Sequence, residues 1–226
     1  MKRIKFIMAV LLMVIVSCQK DPVPGVTEYA VPAAVDLGLS VKWASFNLGA
    51  SKPEEYGNYY AWGETETKSD YSWSTYKWCN GSEKTLSKYN NWEPKGVVDN
   101  KSILEKADDV AYVKLGGKWR MPTYEEVCEL VQQCTSSWTT RNGVEGIEFF
   151  GPNGNSLFLP AAGCWEGTDF KSAGYSGVIW TSTASFKNGI PEDAFELAFH
   201  RIEGVGRWWI GAPYRCYGYS VRPVTE

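Results

Sequence analysis

The stretch Gly117-Lys118-Trp119-Arg120-Met121-Pro122-Thr123-Tyr124-Glu125-Glu126-Val127-Cys128-Glu129-Leu130-Val131-Gln132-Gln133-Cys134 carries the clearest secondary-structure signal in this chain. Thr123 and Glu126 make a capping box directly after Pro122, so that two orphan amides of a helix start are satisfied reciprocally. Val127, Leu130, Val131 and Cys134 then recur at i, i+3, i+4 and i+7, which predicts a helix over 123–133 with one face on a core. No other segment carries a helical pattern of this strength. The fold class expected is therefore α+β, made mostly of short antiparallel strands with one or two helices and long loops.

Outward from that helix, the strand-like runs are short and fenced by turn residues. Residues 35–47 (VDLGLSVKWASFN) alternate apolar and polar side chains around Gly38, and residues 57–63 (GNYYAWG) read as an aromatic strand between glycines. After the helix come residues 156–159, 178–182, 194–199 and 217–224, each bounded by glycine, proline or asparagine. Residues 65–95 are polar, aromatic and irregular, which suggests a long loop region pinned by Trp73, Trp78 and Trp92.

The first residues suggest where the chain resides. Lys2, Arg3 and Lys5 precede an apolar run from Phe6 to Val16, and Ser17-Cys18 then completes the pattern of a bacterial lipoprotein signal. The run is about half of the ~20 residues needed to cross a bilayer, so it reads as cleavable and the anchor as lipid on Cys18. Acylation on sulfur and on the new amine would give the several chains, palmitate among them, that stable anchoring requires. The division expected is a signal peptide at 1–17, a Pro-rich lipidated tether at 18–32, and one globular domain at 33–226. An outer-membrane location follows, at the cell surface or on the periplasmic side, with the membrane met through the lipid alone.

Composition excludes some functions. A formal charge of −3 with both signs interspersed gives no basic footprint for nucleic acid. Eleven Trp and thirteen Tyr against one histidine point to rings that mostly fill core and partly offer a contact surface. Beyond Cys18, five cysteines remain at 79, 128, 134, 164 and 216, an odd number with no metal-knuckle spacing. Cys164 with Cys216 is the pair to test for a disulfide, whereas Cys128 and Cys134 fall on different faces of the predicted helix.

The segments at 117–123 (GKWRMPT), 159–163 (LPAAG), 180–183 (WTST) and 218–224 (GYSVRPV), in that order, resemble the FISUMP (Fibrobacter-type major paralogous) domain. The opening 35–44 (VDLGLSVKWA) and 60–64 (YAWGE) are similar to the version on lipoproteins of Bacteroidales bacteria. Nearly all of the mature chain is covered. The resemblance implies a C-type-lectin-like fold, related to the formylglycine-generating enzymes and to receptors diversified by retroelements. It implies that fixed motifs build the core while intervening loops carry recognition.

Two segments are the candidate ligand-binding sites. Residues 204–216 (GVGRWWIGAPYRC) contain Trp208, Trp209 and Tyr214, rigid rings suited to sugar faces or a protein patch, with Arg207 and Arg215 as donors for carboxylates. Adjacent strand tryptophans point to opposite faces, so one of the two is expected in the core. The second segment, residues 164–170 (CWEGTDF), sets Trp165 beside Glu166 and Asp169. That carboxylate pair suits a glycan and would, in a hydrolase, be the acid and base, although nothing in the sequence points to the burial needed to raise one pKa.

Other chemistries have weaker sequence support. His200 ends a strand and has no Gly-x-Ser-x-Gly partner for a triad. The resemblance to formylglycine-generating enzymes implies a copper-binding cysteine pair, but Pro223 stands where a cysteine would be, and Cys216 alone does not restore the pair. Glu93-Pro94-Lys95 puts a lysine where a calcium-dependent lectin needs a ligand. Asp99, Asn100, Asp108 and Asp109 are oxygen donors, better read as caps and solvated acids than as a cation loop. The expectation is a binding module for a glycan or for a host or bacterial surface protein, without catalytic residues, metal or cofactor. The alternatives are an enzyme or degenerate enzyme of the formylglycine-generating type, and an envelope assembly subunit.

Overall fold

Short apolar runs cut by glycine and proline cannot sustain long helices, and strands dominate the result. The computed structural model describes residues 29–186 and 189–226; the predicted signal peptide, Cys18 and the tether up to residue 28 lie outside them. In chain order the described elements are β1 (Ala34–Val35), β2 (Lys42–Ala44), β3 (Tyr59–Tyr60), α1 (Val110–Leu115), α2 (Tyr124–Gln133), β4 (Thr135–Arg141), β5 (Val144–Phe150) and β6 (Ser156–Pro160). They continue with β7 (Cys164–Glu166), β8 (Asp169–Lys171), β9 (Ser176–Ser185), β10 (Asp193–Ile202), β11 (Val205–Gly211), β12 (Tyr219–Ser220) and β13 (Val224–Thr225). The protein is an α+β fold in which strands greatly outnumber helices.

The central layer is a five-stranded sheet ordered β11-β10-β9-β12-β3, antiparallel throughout except where β12 runs parallel to β9. Its two faces bury different cores. One face packs Val178, Trp180, Ala198 and Tyr219 against Trp62, Tyr89, Leu104 and the α1 residues Val110 and Ala111. The other face packs Ile179, Leu197 and Phe199 against α2 and against Ile147, Phe149, Leu157 and Leu159 of the β4-β5-β6 sheet. The helix signal of the sequence is realised in full: Thr123 and Glu126 form the capping box, and Val127, Leu130 and Val131 are the buried face.

Several sequence expectations change. Residues 35–47 are two short strands rather than one, because Gly38 turns at φ 77° and lets β2 fold back antiparallel on β1. The strand expected at 57–63 is only β3. The hairpin β4–β5 went unforeseen although Asn142-Gly143, both at positive φ (49° and 83°), is the dipeptide that a tight hairpin turn favours. Residues 164–170, for which no strand was expected, form most of the hairpin β7–β8 around Gly167. Within 65–95, Trp73 and Trp78 are half-buried, but Trp92 is exposed and pins nothing. All five described cysteines are free, so Cys164 and Cys216, the pair to test, are not bonded; both thiols are buried separately, in different clusters.

Arg222 closes the domain. It is fully buried, and its guanidinium donates to Asn47 Oδ1 at 2.9 Å, to the Ala44 carbonyl at 2.9 Å and to the Phe158 carbonyl at 3.0 Å. Burial among neutral acceptors pulls its pKa down to about 9, still above neutrality. Removing it strands three buried acceptors at once. Arg222→Ala is expected to cost ~3–5 kcal/mol in urea unfolding, and Arg222→Lys to recover only a small part, since one ammonium cannot reproduce the planar three-way fork.

Candidate functional site

A strand at a sheet edge leaves both of its faces partly uncovered, and β11 is such a strand. It is held to β10 by a two-residue turn, Glu203-Gly204, with φ of 49° and 83°. In this register Trp209 lies opposite Ala198, Trp208 opposite Phe199, and Arg207 opposite His200. Trp208 and Trp209 point to opposite faces as alternation requires, but neither is core: they are 38% and 42% exposed. The His200 imidazole sits against the Trp209 ring, with centroids 4.7 Å apart. Arg207 is exposed and has no ion pair among the described residues.

The second segment lies beside the end of the chain. Trp165 exchanges backbone hydrogen bonds with Gly218, both at 2.9 Å, which sets β7 alongside the approach to β12. Trp165 is half-buried between Phe170 (5.0 Å) and Tyr71 (6.2 Å), and Phe170 is itself exposed. Glu166 and Asp169 face each other across the β7–β8 turn; Glu166 is paired with Lys171 at 2.6 Å, while Asp169 is exposed. Tyr214 is exposed and packs on Trp73 and Tyr217.

Arg215 departs from its expected role. It is fully buried, donates to the Tyr89 carbonyl at 2.9 Å and lies over the rings of Trp62 and Tyr76. Its neighbour Tyr214 faces out, so alternation at this position sends Arg215 inward. The guanidinium is engaged in the core and is no donor to a ligand.

The residue that connects the two segments is one the sequence reading passed over. Glu196 on β10 lies opposite Trp180 on one side and Gly211 on the other, and is 6% exposed. Its Oε2 is buried without a hydrogen-bond partner. Burial, with no compensating partner, pushes its carboxyl up to about 8. The Glu196 and Glu166 charges both bear on Cys164, whose thiol burial already raises to about 11, and on the Tyr219 phenol, also raised chiefly by burial. The available signal was the strand 194–199 (AFELAF), in which the glutamate shares the inward parity of Ala198.

A cavity of about 510 Å³ lies elsewhere, lined by Leu104, Asp109, Tyr112, Trp119, Arg120 and Ser182 among others. Most of its charged groups are already engaged, and the Lys106 ammonium lies over the Tyr112 ring. Arg120 forks onto Glu126, Lys118 pairs with Glu226, and Asp109 caps α1 and accepts from the Met121 amide. The oxygen donors considered for a cation are likewise in use: Asp99 accepts from the Tyr89 and Asn90 amides, and Asp108 from Lys88 and the Tyr89 hydroxyl. Lys95 of the Glu93-Pro94-Lys95 turn donates to Glu192 at 2.7 Å. Comparison with family models, with curated proteins and with solved structures finds no match.

The Glu196 carboxyl gives a signed pH prediction. Its folded pKa lies above the ordinary value of 4.5, so its stabilising protonated form is fully present at low pH and is lost as pH rises towards 8. Relative to wild type, Glu196→Gln is expected to gain stability progressively between pH 5 and 8, by up to ~1.4 kcal/mol per pH unit, with no further gain above that. Thermal melts of both proteins from pH 4 to 9 check it.

Proposed function

We propose that this chain is a lipid-anchored envelope protein whose domain, C-type-lectin-like and of the FISUMP type, binds a glycan or a surface protein and performs no chemistry of its own. The observation that carries the reading is the exposure of rigid aromatic side chains: Trp208 and Trp209 on opposite faces of the edge strand β11, Tyr214, and Phe170 over Trp165. Flat rings with few rotatable bonds lose little entropy on contact and supply large contact area. Around them lie polar groups free to choose a ligand, Arg207 and Asp169.

The enzymatic alternative finds less support. A thiol that binds copper must become a thiolate, and burial pushes Cys216 the other way, up to about 12. A hydrolase built on Glu166 and Asp169 finds little support in their placement, since they face each other across an open turn where Asp169 is exposed and Glu166 is held by Lys171 at 2.6 Å.

The test is a glycan-array and surface-protein screen of the protein from Gln19 onward. For a ligand found there, Trp209→Ala and Trp165→Ala are each expected to weaken binding about tenfold or more, ~1.4 kcal/mol, and the Trp208→Ala/Trp209→Ala double variant to abolish it. Circular dichroism melts identify any loss that comes from unfolding. Turnover of a polysaccharide or peptide that depends on Glu166 or Asp169 sinks the reading.

A further inference from the structure

A cavity in which most charges are engaged binds through the groups that are not, and the cavity of about 510 Å³ beside α1 has such groups. Its size lies within the range of small-molecule sites, ~300–1,000 Å³. Backbone hydrogen bonds hold its walls in place. The Leu104 amide donates to the Ser182 carbonyl at 2.9 Å, Arg120 and Val224 exchange bonds at 3.1 and 2.8 Å, and the Trp119 amide donates to the Gly116 carbonyl at 3.2 Å. Gly116 and Gly117, at φ of 66° and 61°, turn the chain after α1 so that Trp119 comes back to line the same opening as Tyr112. The cavity is thus built by the fold itself.

Its polar groups divide unevenly. The acids have their oxygens occupied: Asp109, 5% exposed, accepts from the Tyr112 and Met121 amides, and Glu226 is paired with Lys118. Glu105, next in the chain to Lys106, is held by Lys88 and Lys101. The donors are less committed. Lys106 forms no ion pair among the described residues; its ammonium rests 5.2 Å from the centre of the Tyr112 ring, a contact that leaves its N–H groups free to donate. The Trp119 indole N–H and the Tyr112 hydroxyl, both on half-buried side chains, likewise make no hydrogen bond among the described residues. Beside them the lining is apolar, with Leu104 buried and Ile103 exposed.

We propose that this cavity is a binding site for a small aromatic carboxylate, with its ring among Leu104, Tyr112 and Trp119 and its carboxylate met by the Lys106 ammonium and the indole N–H. The site shares no residue with β7, β8 or β11, so it stands or falls separately from the surface reading above. An aromatic acid brings a flat apolar body and polar atoms that only accept, which complements what the cavity leaves unmet. A sugar acid brings several hydroxyl protons as well, and the carboxylates that would take them are occupied. An amine meets Lys106 as a like charge. The Asp109 charge is buried under backbone amides at the start of α1, whereas Lys106 is exposed, so the ligand's charge meets the cation first.

The experiment uses the full-length protein in nanodiscs, titrated by calorimetry with phenylacetate and indole-3-acetate, their uncharged amides, glucuronate as the sugar acid and tryptamine as the amine. The aromatic acids are expected to bind at least about tenfold more tightly than the amides. Raising the salt from about 50 to about 500 mM is expected to narrow that gap, because an exposed ion pair is screened. Lys106→Met, which keeps an apolar stem on Tyr112 and removes the charge, is expected to bring acid and amide to one affinity with no change in the thermal melt. Trp119→Phe, which keeps a ring and loses the N–H, is expected to weaken the acids about threefold or more. The Trp119 indole N–H resonance, assigned by its loss in Trp119→Phe, is expected to shift when acid is added.

Equal binding of acids and amides by the wild type, or tighter binding of tryptamine, overturns the anion assignment. Binding of glucuronate in place of the aromatic acids overturns the ring assignment. Binding that neither Lys106→Met nor Trp119→Phe alters puts the ligand elsewhere and overturns the site. No binding of any probe up to ~10 mM overturns it too, and leaves the aromatic-surface module standing.

Discussion

The buried guanidinium of Arg222 is the constraint on which the arrangement depends. A charge in the interior survives only if its donors are met, and here they are met by the Ala44 carbonyl, by Asn47 and by the Phe158 carbonyl. Those acceptors belong to the opening strands, to the loop after them and to the β4-β5-β6 sheet. Fixing them together fixes how the three-stranded sheet β1-β2-β13 meets the β4-β5-β6 sheet. Asn47 is in turn held by its own bond to the Tyr56 carbonyl. The same loop then delivers β3 to the edge of the central sheet.

Beside that constraint works a second one, which explains much of the aromatic content. β3 and the residues after it form too few ladder bonds to satisfy their backbone, and aromatic side chains supply the missing donors. The carbonyls of Tyr59, Tyr60, Trp62 and Gly63 accept from Tyr71, Trp180, Tyr76 and Trp78 respectively. Trp62 returns the gesture by donating its indole to the Thr181 carbonyl of β9. Rings here fill volume and act as polar caps at once, so most of them are unavailable to a ligand. The rings left exposed include Trp208 and Trp209 on β11, Phe170 on β8 and Tyr214, together with Trp92, Phe150 and Tyr175 elsewhere.

This division was only partly legible in the sequence. The helix at α2 could be read because its cap and its period are local, and the runs that became β6, β9, β10 and β12 because alternation and bounding glycines are local too. The partners of residues 65–95 are not local: Tyr71 answers Gly167 and Tyr59, and Arg215 answers Tyr89, across separations that no window of sequence exposes. For the same reason Arg215 looked like a surface donor, and Glu196 like an ordinary strand residue. Asn142-Gly143 was local and was still passed over, since Thr135 to Arg141 lacks the apolar alternation that usually frames such a turn. The exposed tryptophans were visible in the sequence, but that both would be exposed follows from β11 being an edge, which is a property of sheet order.

The pairing of β13 with β2 and of β12 with β3 has a consequence for how the chain reaches this state. β3 finds its ladder partner in β12 and β2 its second partner in β13, and the Arg222 bond to Ala44 spans a sequence separation of 178. A topology of such high contact order cannot close while the chain is still emerging from a ribosome or a membrane pore. The free edge of β2, and β3 with the aromatic loop after it, must wait until β12 and β13 arrive. Folding is then a late, nearly all-at-once event that follows complete delivery of the polypeptide.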